Sequence, residues 1–300
     1  MTIALHRTLF FWLTGLILTV AVGAIIVFGL PRAIDFTGGS LLHVSYQGGR
    51  PPLALIQEQV ATVPVGAASV RTVGDSAVSI RVRTMTPAEH DAVLLALSQN
   101  NTAVTELSYN SVGPALGSQF ATKALWAILA VALAIILYIA FAFRKVSRPV
   151  PSWGYGLTVI AILVHDLIIP AGFFAILAHF TGAEVDALFV TALLALLGYS
   201  VNDTIIIFDR IREHLAKNER ENTKEPFEQT VGKSISETLT RSINTSLTVV
   251  LALFVLVLLG APATRDFALV MLVGVVAGTY SSILLAAPLL IPLSRWFVKK

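Results

Sequence analysis

The residue with the clearest chemical potential in this sequence is Asp203, a carboxylic acid within a long apolar run. In residues 187–208, Asn202 and Asp203 are the strongly polar members. At about 1.5 Å per residue this run is long enough to cross a bilayer. A carboxylate at the bilayer centre costs about 2.5 to 3.5 kcal/mol, so such an acid is normally protonated, paired or next to water. Asp203 is therefore a candidate proton site; the alternative is a polar residue that only joins neighbouring helices.

A second ionisable pair, His165 and Asp166, lies near the middle of another apolar run, residues 153–180. Imidazole titrates near neutral pH, so His165 could relay protons. Adjacent residues on a helix point about 100° apart, so only one of the two is expected to face a given neighbour squarely. A structural role in helix packing beside Pro170 is an equally good interpretation.

The composition identifies an integral membrane protein, because 55% of the residues are hydrophobic and only 13% are charged. The formal charge of +3 comes mostly from short basic loops, which indicates membrane topology and not nucleic-acid binding. The absence of cysteine excludes disulfides and thiol nucleophiles. No sequence pattern indicates a metal site or a cofactor, and none is expected.

Six apolar runs predict six transmembrane helices, the first of them a retained span and not a cleaved signal peptide. Lysine and arginine are concentrated after the second and fourth runs and in the C-terminal tail, so the positive-inside rule places both termini in the cytoplasm. The runs are residues 8–30, 124–143, 153–180 and 187–208, one within 242–264, and one within 267–294.

Residues 31–119 then form an exported domain between the first two spans, separate from residues 1–30 and 120–300. Its pattern is strand, helix, strand, strand, helix, strand, which is the ferredoxin-like α+β arrangement. Gly74-Asp75 is typical of a hairpin turn, and Thr86 with Glu89 is typical of a capping box at the second helix. The elements are expected at residues 40–46, 53–62, 68–73 and 77–83, after Thr86, and at 102–109.

The cytoplasmic connection, residues 209–240, contains Phe227, Val231, Ile235 and Leu239 at intervals of four. This spacing predicts an amphipathic helix that lies at the membrane interface and leads into the fifth span. A solvated helix whose charges pair locally is the alternative.

Several motifs resemble those of SecF, a family of protein-export membrane proteins in the resistance-nodulation-division superfamily. They are residues 35–39 (Asp-Phe-Thr-Gly-Gly), 112–114 (Val-Gly-Pro), 165–166 (His-Asp), 198–204 (Gly-Tyr-Ser-Val-Asn-Asp-Thr) and 208–213 (Phe-Asp-Arg-Ile-Arg-Glu). The resemblance extends over the whole chain, and the fourth-span motif is the most specific part of it.

The resemblance implies a non-enzymatic subunit of the bacterial plasma membrane, in complex with SecD and next to the SecYEG translocon. Such a complex uses the proton motive force to promote late steps in the movement of exported polypeptide. The family's proton-responsive pair corresponds to Asp203, within the Asn202-Asp203-Thr204 motif, and to Arg241 before the fifth span.

Both residues of this pair are expected in the cytoplasmic third of the membrane. Arg241, Thr245 and Thr248 share one face of the fifth helix, a face that could hold water and hydrogen-bond the acid. Protonation of Asp203 would remove its attraction to Arg241 and favour a second helix packing. The alternative is a static ion pair near the lipid headgroups.

The motif at residues 35–39 supports two interpretations. Gly38 and Gly39 permit backbone geometry that other residues avoid, and Asp35 precedes them. They form either a hinge where the chain leaves the membrane or a simple turn into the first strand.

Three other functions compete with protein export. A small-molecule efflux transporter of the same superfamily is the nearest, although such pumps usually have twice as many spans. An intramembrane aspartyl protease would use Asp166 and Asp203, but the glycines typical around such an acid are missing at residues 200–203. A passive assembly factor would be independent of the proton gradient.

Overall fold

The computed structural model describes residues 7–47, 49–74, 76–99, 103–144, 149–223 and 225–298. They form two compact units. The helical unit comprises residues 1–30, 126–183 and 188–300, and the sheet unit comprises residues 31–125 and 184–187. The sheet unit thus extends past residue 119, where the sequence analysis ended it, and includes a short segment from much later in the chain.

Six helices of the described chain are long and apolar enough to cross a membrane, as the sequence predicts. The sixth span is not a uniform α-helix, because a π-helical turn, Ser282–Ala286, interrupts it. The helices are α1 (Arg7–Phe28), α5 (Pro114–Ala142), α6 (Ser152–Thr181), α7 (Ala187–Arg220), α8 (Phe227–Leu259), and α9 (Pro262–Ser281) continued by α10 (Ala287–Val298).

Small residues allow the helices of the helical unit to approach closely. A Cβ added to Gly274 of α9 would collide with the Leu196 side chain of α7, and one added to Gly278 would lie 3.1 Å from the Ser200 Cβ. Gly172 of α6 meets Ala21 of α1 in the same way, with 2.6 Å to the Ala21 Cα. Such contacts are typical of helix pairs in membranes, where packing replaces the hydrophobic effect.

The helices α7 and α8 form a hairpin, with its turn between Arg220 and Phe227. The prediction of an amphipathic helix at the lipid interface is wrong for this segment. Val231 is 0% exposed and Ile235 is 1% exposed, and both belong to the apolar core of the helical unit. The apolar stripe is therefore covered by protein, which the spacing of four residues could not distinguish from burial in lipid.

Polar contacts close the same hairpin. Arg210 of α7 bonds to Glu237 of α8, and His214 Nε2 lies 3.0 Å from the same carboxylate. At the turn, the hydrogen bond from Lys233 holds the pKa of Glu225 below its usual value. The hairpin thereby keeps α7 and α8 in register, which matters because each contributes to the site described below.

The sheet unit has the predicted ferredoxin-like topology. Its four antiparallel strands are arranged β2-β3-β1-β4, and the two helices α3 (Leu53–Ala61) and α4 (Pro87–Leu97) share one apolar core with the sheet. Thr86 and Glu89 form the predicted capping box at α4. The predicted residues Asp75 and Thr102 lie outside the described part of the chain. The strands are β1 (Gly39–Tyr46), β2 (Ser69–Val73), β3 (Ala77–Val82) and β4 (Val104–Val112).

The glycines of the 35–39 motif form a tightly packed turn between the short helix α2 (Ile34–Thr37) and β1. Both Gly38 (φ 73°) and Gly39 (φ 126°) have backbone angles that favour glycine. A Cβ at Gly38 would lie 2.7 Å from the Pro114 Cα, and one at Gly117 would lie 2.6 Å from the Gly38 nitrogen. These backbone contacts favour the turn interpretation over the hinge.

Candidate functional site

The predicted acid Asp203 is buried at the centre of the helical unit. Its side chain is 1% exposed and extends from α7 toward α8. Ser246 of α8 donates from Oγ to Asp203 Oδ2 at 3.4 Å, and Thr279 of α9 donates to Ser246 Oγ at 2.7 Å. Three helices therefore meet at one carboxyl group through a short chain of hydroxyls.

The hydrogen bond to Asp203 is a weak one. The Ser246 hydroxyl has one proton and also reaches the Ser242 carbonyl at 2.8 Å, which is the shorter of its two contacts. When Asp203 is protonated, its own O–H can donate to Ser246 Oγ instead. The surroundings therefore suit a neutral acid, because a buried carboxylate with one shared donor is poorly stabilised.

Two buried polar atoms near this acid have no hydrogen-bond partner among the described residues. They are Asp203 Oδ1 and the Ser242 hydroxyl, one turn before Ser246 on α8. Buried polar groups are nearly always paired, and exceptions in native proteins often mark functional positions. The unpaired Oδ1 leaves Asp203 with a buried acceptor oxygen that has room for a further bond.

The second acid, Asp166 of α6, has a much more complete set of partners. Its Oδ1 lies 2.7 Å from His165 Nδ1, while its Oδ2 accepts hydrogen bonds from Ser281 at 3.0 Å and from Ser200. His165 Nε2 pairs with the Tyr280 hydroxyl. Both side chains are buried and both bond to α9, His165 through Tyr280 and Asp166 through Ser281, so the expectation that only one of the two would face a given neighbour is wrong. Asp166 also bonds to Ser200 of α7, so the pair joins α6 to two other helices.

The sixth span connects the two acids through four consecutive residues, 279–282. Thr279 bonds to Ser246 of α8, Tyr280 to His165 and Ser281 to Asp166, both on α6. The last of the four, Ser282, lies 2.9 Å from the Thr204 hydroxyl of α7. The π-helical turn begins at Ser282, and π-turns within helices are frequent at functional sites.

Arg241, the expected partner of Asp203, is not near it in this structure. The Arg241 side chain is exposed, and none of the ion pairs among the described residues includes it. Ser242 and Ser246 face Asp203, and Arg241 precedes Ser242 by one residue, which corresponds to about 100° around the helix. The prediction that the face with Arg241 is directed toward the acid is therefore wrong for this arrangement.

The other predicted polar residues of the site are also on the outside of the helical unit. Positions 241, 244, 245 and 248 form an exposed polar stripe along α8. Thr245 and Thr248 donate to carbonyls of their own helix, at 2.9 and 2.7 Å. Asn202 is exposed on α7.

Asp35 of the glycine motif belongs to the sheet unit and does not take part in this site. Its Oδ2 accepts a hydrogen bond from the backbone nitrogen of Ala187, the first residue of α7, at 2.9 Å. A carboxylate at a helix N-terminus stabilises the free N–H groups and the positive end of the helix dipole.

The sequence analysis missed five hydroxyl residues that surround the acids: Ser200, Ser246, Thr279, Tyr280 and Ser281. Single serines and threonines are common in membrane helices, so each is a weak signal alone. The stronger signal was the unbroken run Thr-Tyr-Ser-Ser at 279–282 inside an otherwise apolar span.

Comparison with known proteins shows the family of this chain. The family described as protein export membrane protein SecD/SecF, C-terminal, matches residues 93–296. The protein translocase subunit SecF of Thermobaculum terrenum is 38% identical over 95% of this chain and 91% of its own. The SecF of Anaerolinea thermophila is also 38% identical, over 95% of this chain and 91% of its own.

Solved structures agree with this relationship. SecDF of Thermus thermophilus, titled a translocon-associated membrane protein, superposes with a TM-score of 0.82 and 29% identity over 98% of this chain. SecDF in a super-membrane-facing form superposes with a TM-score of 0.66. This chain spans 39% of the first of these SecDF chains and 38% of the second. Because the family model matches residues 93–296 and two SecF subunits are 38% identical over 95% of this chain, the chain belongs to the SecF family of protein translocase subunits.

Proposed function

We propose that this chain uses the proton motive force, together with a SecD partner, to promote late steps of polypeptide export through the SecYEG translocon. It would do so in the bacterial plasma membrane with both termini in the cytoplasm, and without enzymatic activity. The main support is the environment of Asp203, a 1% exposed acid in a membrane-spanning helix with one unpaired oxygen. The SecF relatives are named as translocase subunits, which agrees with this role.

The proposed switch has two states of the Asp203 carboxyl group. In the neutral state, the Asp203 hydroxyl would donate to Ser246 Oγ, which also accepts a hydrogen bond from Thr279. Loss of the proton leaves a buried charge that needs a cation, and Arg241 of α8 directly precedes Ser242. A rotation of α8 against α7 by about 100°, which is one residue, would bring Arg241 to the position of Ser242 and displace both helices. Proton flow at about 2.3 kcal/mol per charge per 100 mV could drive this change.

The exposed polar stripe of α8 supports a partner in the membrane. An arginine and an asparagine on a membrane-spanning helix are costly when they face acyl chains. Positions 241 and 244 are both exposed, so a polar helix of another subunit would stabilise them. A SecD subunit is the proposed partner, because solved SecDF chains contain a match to this chain and a longer remainder.

The contacts argue against a peptidase that would use both acids. An aspartyl dyad needs two carboxyl groups close enough to share a proton. Asp166 bonds to His165, Ser200 and Ser281, while Asp203 bonds to Ser246. Within the described residues no hydrogen bond joins the two carboxyl groups.

The test is Asp203→Asn in the complex with SecD and the translocon, reconstituted in proteoliposomes. Preprotein translocation is measured with and without a proton gradient, and co-purification of SecD measures assembly. The variant should assemble normally and lose the stimulation by the gradient. The matched control is Asp209→Asn, since Asp209 lies on the same helix but is exposed and paired with Arg212. Full stimulation in an assembled Asp203→Asn complex would refute the proposal.

A further inference from the structure

The segment between α6 and α7, residues 184–187, is part of the sheet unit although the helix that follows it crosses the membrane. Two backbone hydrogen bonds attach it to the chain after α1. Ala33 donates to the Val185 carbonyl at 2.8 Å, and Val185 donates to the Pro31 carbonyl at 2.7 Å. The side chain of Asp35 adds the bond to the Ala187 nitrogen at 2.9 Å. The segment that leads into α7 is therefore attached to the rest of the sheet unit at several points.

A charged pair strengthens this attachment. Arg81 of β3 donates from one nitrogen to both oxygens of Glu184, at 3.1 and 3.0 Å, and Arg71 of β2 lies 3.2 Å from the same carboxylate. The Arg81 and Glu184 side chains are only 27% and 17% exposed. Charge-assisted bonds of this kind are stronger than those between neutral groups.

Arg81 also joins this pair to the motif at residues 35–39. Its second terminal nitrogen donates to the Thr37 hydroxyl at 2.6 Å, and its first donates to the Arg32 carbonyl at 3.0 Å. One guanidinium thus connects three separate parts of the chain: strand β3, the residues after α1, and Glu184. Arginine is suited to this because its five N–H groups have fixed directions.

We infer that Arg81 and Glu184 are positioning residues that transmit movement of α7 to the exported domain. The inference depends on the proposed function, because it assumes that α7 moves when Asp203 changes its charge. α7 is one continuous helix, so a shift at Asp203 reaches Ala187, about 24 Å away along the axis. At Ala187 the helix is bonded to Asp35 of the sheet unit. The Arg81–Glu184 pair attaches the residues just before Ala187 to strand β3, so a displacement of α7 would act on that strand.

The experiment uses the full chain with SecD and the translocon in proteoliposomes. Arg81→Met is compared with Arg83→Met, which removes another arginine of the same domain, one that bonds to Glu89 and to the Thr84 and Pro64 carbonyls. Two quantities are measured: stimulation of translocation by a proton gradient, and the infrared carbonyl band of protonated Asp203, assigned by its loss in Asp203→Asn. Arg81→Met should reduce stimulation by about tenfold, within the range of typical coupling energies. The Asp203 band should still respond to pH as before, and Arg83→Met should leave both readouts unchanged.

Further variants keep the inference testable if Arg81→Met does not assemble. Glu184→Gln removes the charge with little change in shape and should also reduce stimulation, whereas Arg81→Lys should restore part of it. Normal stimulation in assembled Arg81→Met or Glu184→Gln complexes would refute the inference. So would an equal loss in Arg83→Met, which would indicate general damage to the domain, or a changed Asp203 band, which would place the effect at the proton site. Failure of the proposed function itself appears separately, as stimulation that persists in Asp203→Asn.

Discussion

Asp166→Ala tests whether the second acid holds the helices together. The substitution removes the acceptor of three hydrogen bonds, from His165, Ser200 and Ser281, and leaves their polar atoms buried. In membrane proteins such interhelical bonds are worth about 0.6 kcal/mol each on average and about 1.7 at most. Two of the three bonds, from Ser200 and Ser281, join different helices, which predicts a loss of about 1 to 3 kcal/mol in the free energy of unfolding.

The assay is reversible unfolding of the purified chain in mixed micelles, followed by circular dichroism over a denaturant titration. Ser281→Ala removes one of the two interhelical bonds, so its loss should be about half as large. The control is Ser294→Ala, because this serine is also buried on the sixth span but bonds only to the Ile291 carbonyl of its own helix. If Asp166→Ala costs no more than Ser294→Ala, Asp166 does not hold α6, α7 and α9 together.

Two further predictions concern the sheet unit. The hydrogen bond from Arg83 lowers the pKa of Glu89 from 4.5 to about 2, so the stabilisation is present above pH 4.5 and is lost as the pH falls toward 2. Hydrogen exchange of α4 in the full chain should therefore accelerate over that interval. The control is Glu89→Gln, in which exchange should not accelerate over the same interval. Gly38→Ala should destabilise the protein by about 2 to 4 kcal/mol, because a positive φ and a Cβ 2.7 Å from the Pro114 Cα both oppose it. Gly74→Ala has a similar φ but open space, so its smaller cost in thermal unfolding isolates the backbone contribution, and equal costs would contradict the argument.

Much of the fold follows from patterns that are local in sequence. Apolar runs gave the six spans, and alternation with turn residues gave the order of strands and helices that the sheet confirms. Local patterns could not show whether the apolar stripe with Val231 and Ile235 is buried in lipid or against protein. An apolar stripe has the same periodicity whether it is buried in a membrane or against other helices.

The candidate site shows the same limit at finer scale. Both Arg241 with Thr245 and Ser242 with Ser246 form polar stripes on α8, about 100° apart. Periodicity identifies the two stripes but not which one faces α7. The structure assigns this position to the serines, which are small enough to let α7 and α8 approach, whereas an arginine at the same place would need more room.

The hydrogen-bond partners of the two acids determine which of them can act as a switch. Asp166 accepts from two serines at a single oxygen, so a proton added there would compete with bonds to α7 and α9 together. Asp203 has one donor at 3.4 Å, and that donor is already bonded to a carbonyl of its own helix. A change of charge at Asp203 therefore disturbs few existing contacts, while the same change at Asp166 would loosen three helices at once. For this reason the contacts of Asp203 fit the repeated protonation that we propose for it, whereas those of Asp166 fit a fixed connection between α6, α7 and α9.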